Sequence, residues 1–190
     1  MTELALRHAT YEDLLNVPDD LVGELIDGEL YTSPRPAPRH ANVTSTLGGG
    51  LNARFQHGRG GPGGWWILFE VEAHVEGHAF VPDIAGWRRE RLPVLPTSAT
   101  IDIAPDWVCE VQSPSTARLD RVKKLPMYAE IGVLHVWLID PIVRTLEVLR
   151  LENDRWTIAG TYGGDDVVRA EPFEAVEIEL ALLWTDPPAQ

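Results

Sequence analysis

Apolar positions that recur at every second residue predict β-strands through the middle of the chain. Residues 65–75 and 79–87 are rich in aromatic and β-branched side chains and flank Glu76-Gly77-His78, a pattern typical of an antiparallel hairpin. Residues 107–112 and 133–139 have the same character and predict two more strands. A meander follows, with strands at about 144–151, 155–162 and 166–170 and then an apolar segment from Ile178 to Trp184.

Helical periodicity and turn residues define the N-terminal part of the pattern. Thr10 has the position of an N-cap before a short helix. Residues 22–26 and 29–31 flank Asp27-Gly28, which predicts a hairpin with a two-residue turn. A second helix begins near His40. Its apolar stripe, at four-residue spacing, consists of Val43, Leu47, Leu51 and Phe55.

A third predicted helix, between the strand at 107–112 and the strand at 133–139, determines the fold class. Residues 113–116 supply its N-cap, and Gly132 closes it. Pro126 lies inside this helix and is expected to kink it. A helix that links two strands of one sheet is typical of a parallel crossover. We therefore expect an α/β or α+β fold in which helices pack on a mixed sheet.

Length and composition indicate one globular domain over residues 1–190. The net charge of −13 argues against broad affinity for nucleic acid, although basic residues cluster near Arg35, Arg88 and Arg118. A single cysteine, Cys109, cannot form an intramolecular disulfide, which suits a reducing compartment. The sequence shows neither a secretory signal pattern nor an apolar run that could span a membrane, so we expect a cytoplasmic protein.

Two predicted strands each carry one carboxylate among apolar residues, Asp83 in the first and Glu110 in the second. Burial of an unpaired carboxylate costs several kcal/mol, so such groups are usually protonated, paired or bound to a metal. Further along, Asp120 and Lys124 share one face if their segment is helical. This combination favours a site for one hard divalent cation and an activated water. The ordinary alternatives are that Asp83 ends a strand and that Asp120 and Lys124 form a surface ion pair.

Other candidate chemistry gives weaker signals. Cys109 is adjacent to Glu110 but points to the opposite face of the same strand, which predicts a buried thiol. No zinc-ligand spacing is present among the histidines considered, His57, His74, His78 and His135.

The order of these blocks is similar to that of a known family. Pro82-Asp83 followed by Glu110-Val111-Gln112 resembles the PD-(D/E)XK nuclease superfamily of restriction-endonuclease-like folds. More closely, the chain resembles the bacterial Uma-two family of endonucleases between about residues 22 and 142. The blocks that carry this resemblance are Glu24 to Leu30, Ser33-Pro34 with His40, Val81 to Asp83, Glu110 to Thr116, Asp120 with Lys124 and Tyr128, Gly132-Val133, and Val136 to Pro141.

The resemblance implies a restriction-endonuclease-like mixed sheet flanked by helices, with the antiparallel meander at its C-terminal side. It also implies hydrolysis of phosphodiester bonds in DNA with Mg²⁺ or Mn²⁺. The lysine that the superfamily pattern places two residues after the second acid is Gln112 here, and the family resemblance points to Lys124 instead. By this resemblance, Asp83, Glu110 and the Val111 carbonyl would bind the metal, and Glu24 would be an extra ligand of the metal or of a water. Lys124 would stabilise negative charge or orient the attacking water, and His40 would contact a phosphate or transfer a proton. Gln112, Asp120 and Tyr128 would support these groups.

Two classes of function stay open. One is a metal-dependent endonuclease that acts on DNA, with the basic clusters near Arg35, Arg88 and Arg118 as its rim. The other is a catalytically inactive module of nuclease fold that binds a protein partner or nucleic acid. Gln112 and the acidic charge favour the module, whereas the complete set of Asp83, Glu110 and Lys124 favours the enzyme. We expect the nuclease, and we expect a homodimer because a single-domain nuclease must address two DNA strands.

Overall fold

The computed structural model describes residues 8–184, and within that part of the chain no helix is long and apolar enough to cross a membrane. The α-helical segments are α1 (Tyr11–Leu15), α2 (Pro38–Leu51), α3 (Ala117–Leu119) and α4 (Leu125–Glu130), with π-helical turns at Asn52–Gln56 and Asp120–Lys124 and a 3₁₀ turn at Leu180–Leu183. The strands are β1 (Leu21–Ile26), β2 (Glu29–Pro34), β3 (Trp65–Phe69), β4 (Ala73–Val75), β5 (His78–Phe80), β6 (Ile84–Arg88), β7 (Trp107–Val111), β8 (His135–Asp140), β9 (Thr145–Glu152), β10 (Arg155–Gly163), β11 (Val167–Val168) and β12 (Ile178–Glu179).

A six-stranded sheet in the order β10-β9-β8-β7-β6-β3 forms the centre of the domain. Strands β7 and β8 are parallel, as the predicted crossover requires, and the other neighbours are antiparallel. Helix α2 covers one face with its predicted apolar stripe, and α4 covers the other face through Met127 and Tyr128. The predicted fold class, a mixed sheet flanked by helices, is confirmed.

One long hairpin belongs to two sheets. Its tip is Glu76-Gly77, where both φ angles are positive, 51° and 88°. Since Val75 pairs with His78, the turn has two residues rather than the three predicted. Such turns follow the right-handed twist of the strands that they join. Strands β4 and β5 of this hairpin pair with each other in the four-stranded sheet β2-β1-β5-β4.

The same hairpin bends before it enters the central sheet. Its register is maintained across the bend, because Phe69 of β3 pairs with Ile84 of β6 in the series that begins at the tip. Between the two sheets, residues 70–72 and 81–83 lie outside the named strands. The bend therefore separates the sheets at the segment that contains Asp83.

The segment after β7 is not one kinked α-helix. It changes from α3 to the π-helical turn Asp120–Lys124 and then to α4. Pro126 lies in the first turn of α4, where a missing N–H costs little. The predicted kink is thus replaced by a change of helix type at the residues just before the proline. π-helical turns are frequent at functional sites, and this one carries both Asp120 and Lys124.

The C-terminal meander has two strands, not three. Strands β9 and β10 extend the central sheet, but the predicted strand at 166–170 is reduced to β11, which pairs with β12. Between these two strands, the Phe173 ring packs against the rings of Trp107 and Trp137, with centroids 4.8 and 5.6 Å apart. The chain therefore turns back to close the core beneath α2 instead of adding a strand, since this conformation buries Phe173 completely.

Candidate active site

An open cleft lies where the long hairpin bends between the two sheets. Its side chains come from β1, the end of β2 and the loop after it, α2, the ends of β3 and β7, the segment 81–83 at the bend, and the helical segment after β7. The charged and titratable residues that line it are Glu24, Arg35, His40, Glu70, Asp83, Glu110, Asp120 and Lys124. Because five of these eight are carboxylic acids, the cleft favours a cation.

Antiparallel pairing of β6 with β7 places Asp83 beside Glu110. Ile84 pairs with Cys109, so the next position in this register sets Asp83 opposite Glu110, and both side chains leave the same face. The Val111 peptide N–H donates to Asp83 Oδ2 over 2.6 Å. The structure thus brings together the two acids that sequence analysis selected. Cys109 points to the other face and is fully buried, as predicted.

Lys124 reaches these acids from the π-helical turn. Its Nζ lies 2.9 Å from Glu24 Oε1 and 2.8 Å from Glu110 Oε1, and it donates to the Val81 carbonyl over 3.4 Å. All three charged side chains are buried. The alternative of a surface ion pair between Asp120 and Lys124 is therefore wrong, because both residues are buried and Lys124 pairs with two other carboxylates.

Burial and charge have opposite effects on this cluster. Burial alone lowers the pKa of Lys124, but the carboxylates of Glu110 and Glu24 outweigh it and hold that pKa well above its ordinary value. Burial raises the pKa of Glu110 well above its ordinary value, against the attraction of Lys124, and Asp120 raises it further. One ammonium therefore does not fully offset the burial of Glu110, and a divalent cation would supply further positive charge.

Two neutral donors fix the carboxylates that flank Lys124. The Tyr128 hydroxyl donates to Glu110 Oε1, and the Tyr128 ring packs edge-on against Phe80. The Val81 N–H donates to Glu24 Oε1 over 2.9 Å. Glu24 therefore acts in this structure as an anchor for Lys124. Its implied role as a metal or water ligand stays a prediction.

His40 approaches Asp83 from the first turn of α2. Its Nε2 lies 3.0 Å from Asp83 Oδ2. Burial lowers the pKa of His40, but the hydrogen bond and charge of Asp83, reinforced by Glu70 and Asp120, raise it above its ordinary value. The imidazole is consequently charged over a wider pH range than a free histidine, which suits contact with an anion.

Asp120 gives a pH-dependent contribution to stability. Burial, opposed by Lys124 and reinforced by Asp83, raises its pKa from 3.8 to about 6. Between these values the folded protein binds a proton that the unfolded chain has released, so the free energy of unfolding falls by up to about 3 kcal/mol as the pH rises from 4 to 6. We expect Asp120→Asn to reduce this fall in urea unfolding without divalent ions, whereas the exposed Asp102→Asn retains it in full. An unchanged profile in Asp120→Asn would contradict the assignment.

Gln112 does not line the cleft. Its Oε1 accepts a hydrogen bond from Arg121 over 3.3 Å, and Arg121 pairs with Glu147 at 3.0 Å. The buried Nε2 of Gln112 has no hydrogen-bond partner among residues 8–184. At the position of the superfamily lysine, this chain thus has a side chain that holds the helical segment from which Lys124 projects. Val111 contributes its N–H to Asp83, and the role of its carbonyl as a metal ligand stays a prediction.

Sequence analysis missed Glu70. This residue follows β3 with φ of 43°, and its N–H donates to the Asp83 carbonyl over 3.2 Å. Its exposed side chain lines the cleft and contributes to the raised pKa of His40. The available signal was the hairpin register, which sets Glu70 opposite Asp83.

The expected basic rim is largely absent from the cleft. Among the described residues, Arg35 is the one arginine that lines it, and Arg118 does not. Arg88 lies at the far end of β6 from Asp83, about 16 Å away along the strand. Its guanidinium lies 4.5 Å from the centre of the Trp65 ring. The Arg88 cluster therefore lies outside the cleft, and its role in a basic rim stays a prediction.

A second group of metal-ligand types lies elsewhere. Ligand atoms of Asp27, His78 and Glu130 are within 4.8 Å of one another, which sequence spacing did not reveal. The Asp27 N–H donates to His78 Nδ1 over 3.3 Å, so the neutral ring carries its proton on Nε2. A metal could bind this ring only at Nδ1, after the Asp27 hydrogen bond is broken, or at Nε2, after the ring proton is displaced. Since Asp27 and Glu130 are also exposed, the cleft fits a cation better.

The fold and the cleft together define a domain of the restriction-endonuclease-like class. The sequence profile of the Uma2 family, described as "Putative restriction endonuclease", matches residues 9–182, and the chain belongs to this family. A crystal structure described as "a putative nuclease belonging to DUF820" from Anabaena variabilis ATCC 29413 has the same fold, with a TM-score of 0.75 and 23% identity over 93% of this chain and 97% of that chain. No curated protein matches the sequence.

Proposed function

We propose that this protein is a metal-dependent nuclease that hydrolyses phosphodiester bonds in DNA. The observation that carries the proposal is the buried ammonium of Lys124 between Glu24 and Glu110, next to Asp83 in an open cleft. An ion pair of this kind costs desolvation energy and contributes little to stability compared with apolar packing. Its retention in a cleft therefore favours a chemical role, and membership of a family described as restriction endonucleases supports the same conclusion.

Asp83 and Glu110 fit a hard divalent cation. The hydrogen bonds and ion pairs described for each carboxylate end on one oxygen, Oδ2 of Asp83 and Oε1 of Glu110, so Oδ1 and Oε2 are the oxygens that would bind the ion. Magnesium usually takes one or two protein carboxylates and keeps several waters. When bound, Mg²⁺ or Mn²⁺ would polarise the scissile phosphate and lower the pKa of a water.

Lys124 and His40 supply positive charge to the reaction. Because its pKa is held well above the ordinary value, Lys124 stays charged at neutral pH. It is therefore suited to stabilise developing negative charge or to orient the attacking water, not to accept a proton. His40, with its raised pKa, is suited to contact a phosphate or to return a proton to the leaving oxygen.

The second candidate function is a catalytically inactive module that binds a protein partner or nucleic acid. Gln112 in place of the superfamily lysine and the net charge of −13 favour it. The observation against it is that Lys124, which projects from the π-helical turn and not from β7, lies beside the acids in place of the superfamily lysine. A homodimer and a cytoplasmic location stay predictions.

The test combines metal binding with cleavage. We expect calorimetry to detect binding of Mg²⁺ and Mn²⁺, and we expect supercoiled plasmid to be nicked with either ion but not in EDTA. The nicking activity should co-elute with the protein in size exclusion. Metal binding without cleavage of plasmid, linear DNA or RNA would favour the inactive module, and the absence of metal binding would overturn the proposal.

A further inference from the structure

An exposed aromatic ring lies beside the acidic cleft. Phe69 is the last residue of the edge strand β3, and its side chain is 42% exposed. It lines a shallow recess together with Pro36 and Ala41. His40 and Glu70 belong to the lining of both this recess and the cleft, so the two are adjacent.

The Phe69 ring lies against the backbone of α2 because Gly48 has no side chain there. A Cβ at Gly48 would overlap Cε1 and Cζ of Phe69, whereas a Cβ at the adjacent Gly49 would meet no other atom within 4 Å. Glycine inside a helix is unfavourable relative to alanine, so its presence at Gly48 is explained by the ring that contacts it. The ring edge is thus fixed by the helix while the rest of the ring remains accessible from the recess.

The position of the Phe69 ring indicates which kind of chemical group would bind in the recess. A group in this recess would be adjacent to a phosphate bound at Asp83 and Glu110, because His40 and Glu70 border both spaces. The carboxylate of Glu70 disfavours an anionic group in the recess itself. A nucleobase is flat and uncharged, and bases stack on aromatic side chains regardless of their sequence. Within a duplex the bases are already stacked and paired, so a base can reach Phe69 only after it has left the stack.

We propose that Phe69 is a stacking platform for an unpaired nucleobase next to the phosphate in the cleft, and that the substrate is single-stranded or locally unpaired nucleic acid. This inference rests on the proposed nuclease function and narrows its substrate. It makes Phe69 a specificity-determining residue and Gly48 the residue that positions it. The hydroxyls of Thr44 and Ser45, which also line the recess, are available to accept hydrogen bonds from a base edge.

The test is binding of a fluorescent single-stranded DNA that contains 2-aminopurine, compared with a duplex of the same sequence, in Ca²⁺. We expect the wild type to prefer the single strand and to quench its fluorescence. Phe69→Leu keeps an apolar side chain but removes the ring, and it should weaken single-strand binding by about 5- to 100-fold. Phe69→Leu should bind the duplex with the same affinity as the wild type. Gly48→Ala should weaken single-strand binding too, because the added methyl displaces the ring.

The matched control is Tyr11→Leu, which removes another aromatic ring with the same exposure of 42%. It should bind the single strand as the wild type does, and thermal unfolding checks that each variant is folded. Equal single-strand binding by folded Phe69→Leu and wild type, or a wild-type preference for the duplex, would overturn this inference and leave the nuclease proposal intact. Binding of neither nucleic acid by the wild type would overturn both.

Discussion

Lys124→Met is expected to lower the free energy of unfolding by about 3–5 kcal/mol near pH 7 without divalent ions. Methionine matches the length of the lysine stem but removes the ammonium that lies 2.9 Å from Glu24 and 2.8 Å from Glu110. Both acids would then be buried without their shared cation. Without the attraction of Lys124, burial would hold the pKa of Glu110 still further above that of the unfolded chain, so the stability of the variant should rise as the pH falls. Urea unfolding at pH 5 and pH 7.5 measures both effects.

Lys123→Met is the matched control for this variant. Lys123 is the preceding residue, and its partner Glu29 is exposed, so we expect little change in stability. Mg²⁺ should restore part of the stability lost in Lys124→Met, because a cation bound at the acids replaces some of the missing charge. If Lys124→Met unfolded like the wild type at both pH values, the ammonium would not be the partner that makes burial of these acids tolerable.

Much of the fold follows from short-range patterns. The stripe from Val43 to Phe55 fixes which face of α2 is buried, and the Asp27-Gly28 turn fixes the first hairpin. Alternation along β7 is sufficient to place Glu110 and Cys109 on opposite faces. These features are predictable because each depends on neighbours within a few residues and on the period of the element alone.

The features that sequence analysis missed depend on contacts between distant segments. Glu70 enters the cleft because the hairpin bends, and no local signal marks a bend within a continuous register. The π-helical turn before Pro126 directs Lys124 toward β1 as well as β7. Phe173 folds back under the central sheet because its ring completes a cluster of residues from several strands and α2.

The resemblance of the sequence blocks to a known family assigned more residues to the site than hydrophobic periodicity could. Asp120 and Lys124 have the spacing of an ordinary helical ion pair, and their place in the ordered set of blocks strengthened the hypothesis of a common site with Glu110. In the structure Lys124 lies 43 residues from Val81, whose carbonyl it contacts. A contact over that sequence separation has no local signature.

Glu110→Gln and Asp83→Asn are expected to weaken Mn²⁺ binding by more than about 100-fold and to abolish plasmid nicking. Loss of a residue that only orients a metal ligand typically costs 10- to 100-fold, so loss of a ligand's charge should cost more. Glu110→Gln can still accept the hydrogen bonds of Tyr128 and Lys124 through its amide oxygen. Because Lys124 keeps Glu24 as a partner, the stability of this variant should stay within about 1 kcal/mol of the wild type.

The acid variants should lose metal binding but keep their stability, whereas Lys124→Met should lose stability. Comparing them therefore distinguishes a role in the reaction from a role in folding. Glu147→Gln is the matched control, since Glu147 lies on the same face of the central sheet and pairs with Arg121 outside the cleft. It should bind Mn²⁺ and nick plasmid as the wild type does. Retained Mn²⁺ affinity in folded Glu110→Gln and Asp83→Asn would move the cation site away from these strands, and the lysine would then balance buried charge without serving a reaction. Loss of affinity in both variants, with stability maintained, would mean that the buried charges are retained for the metal and not for the fold.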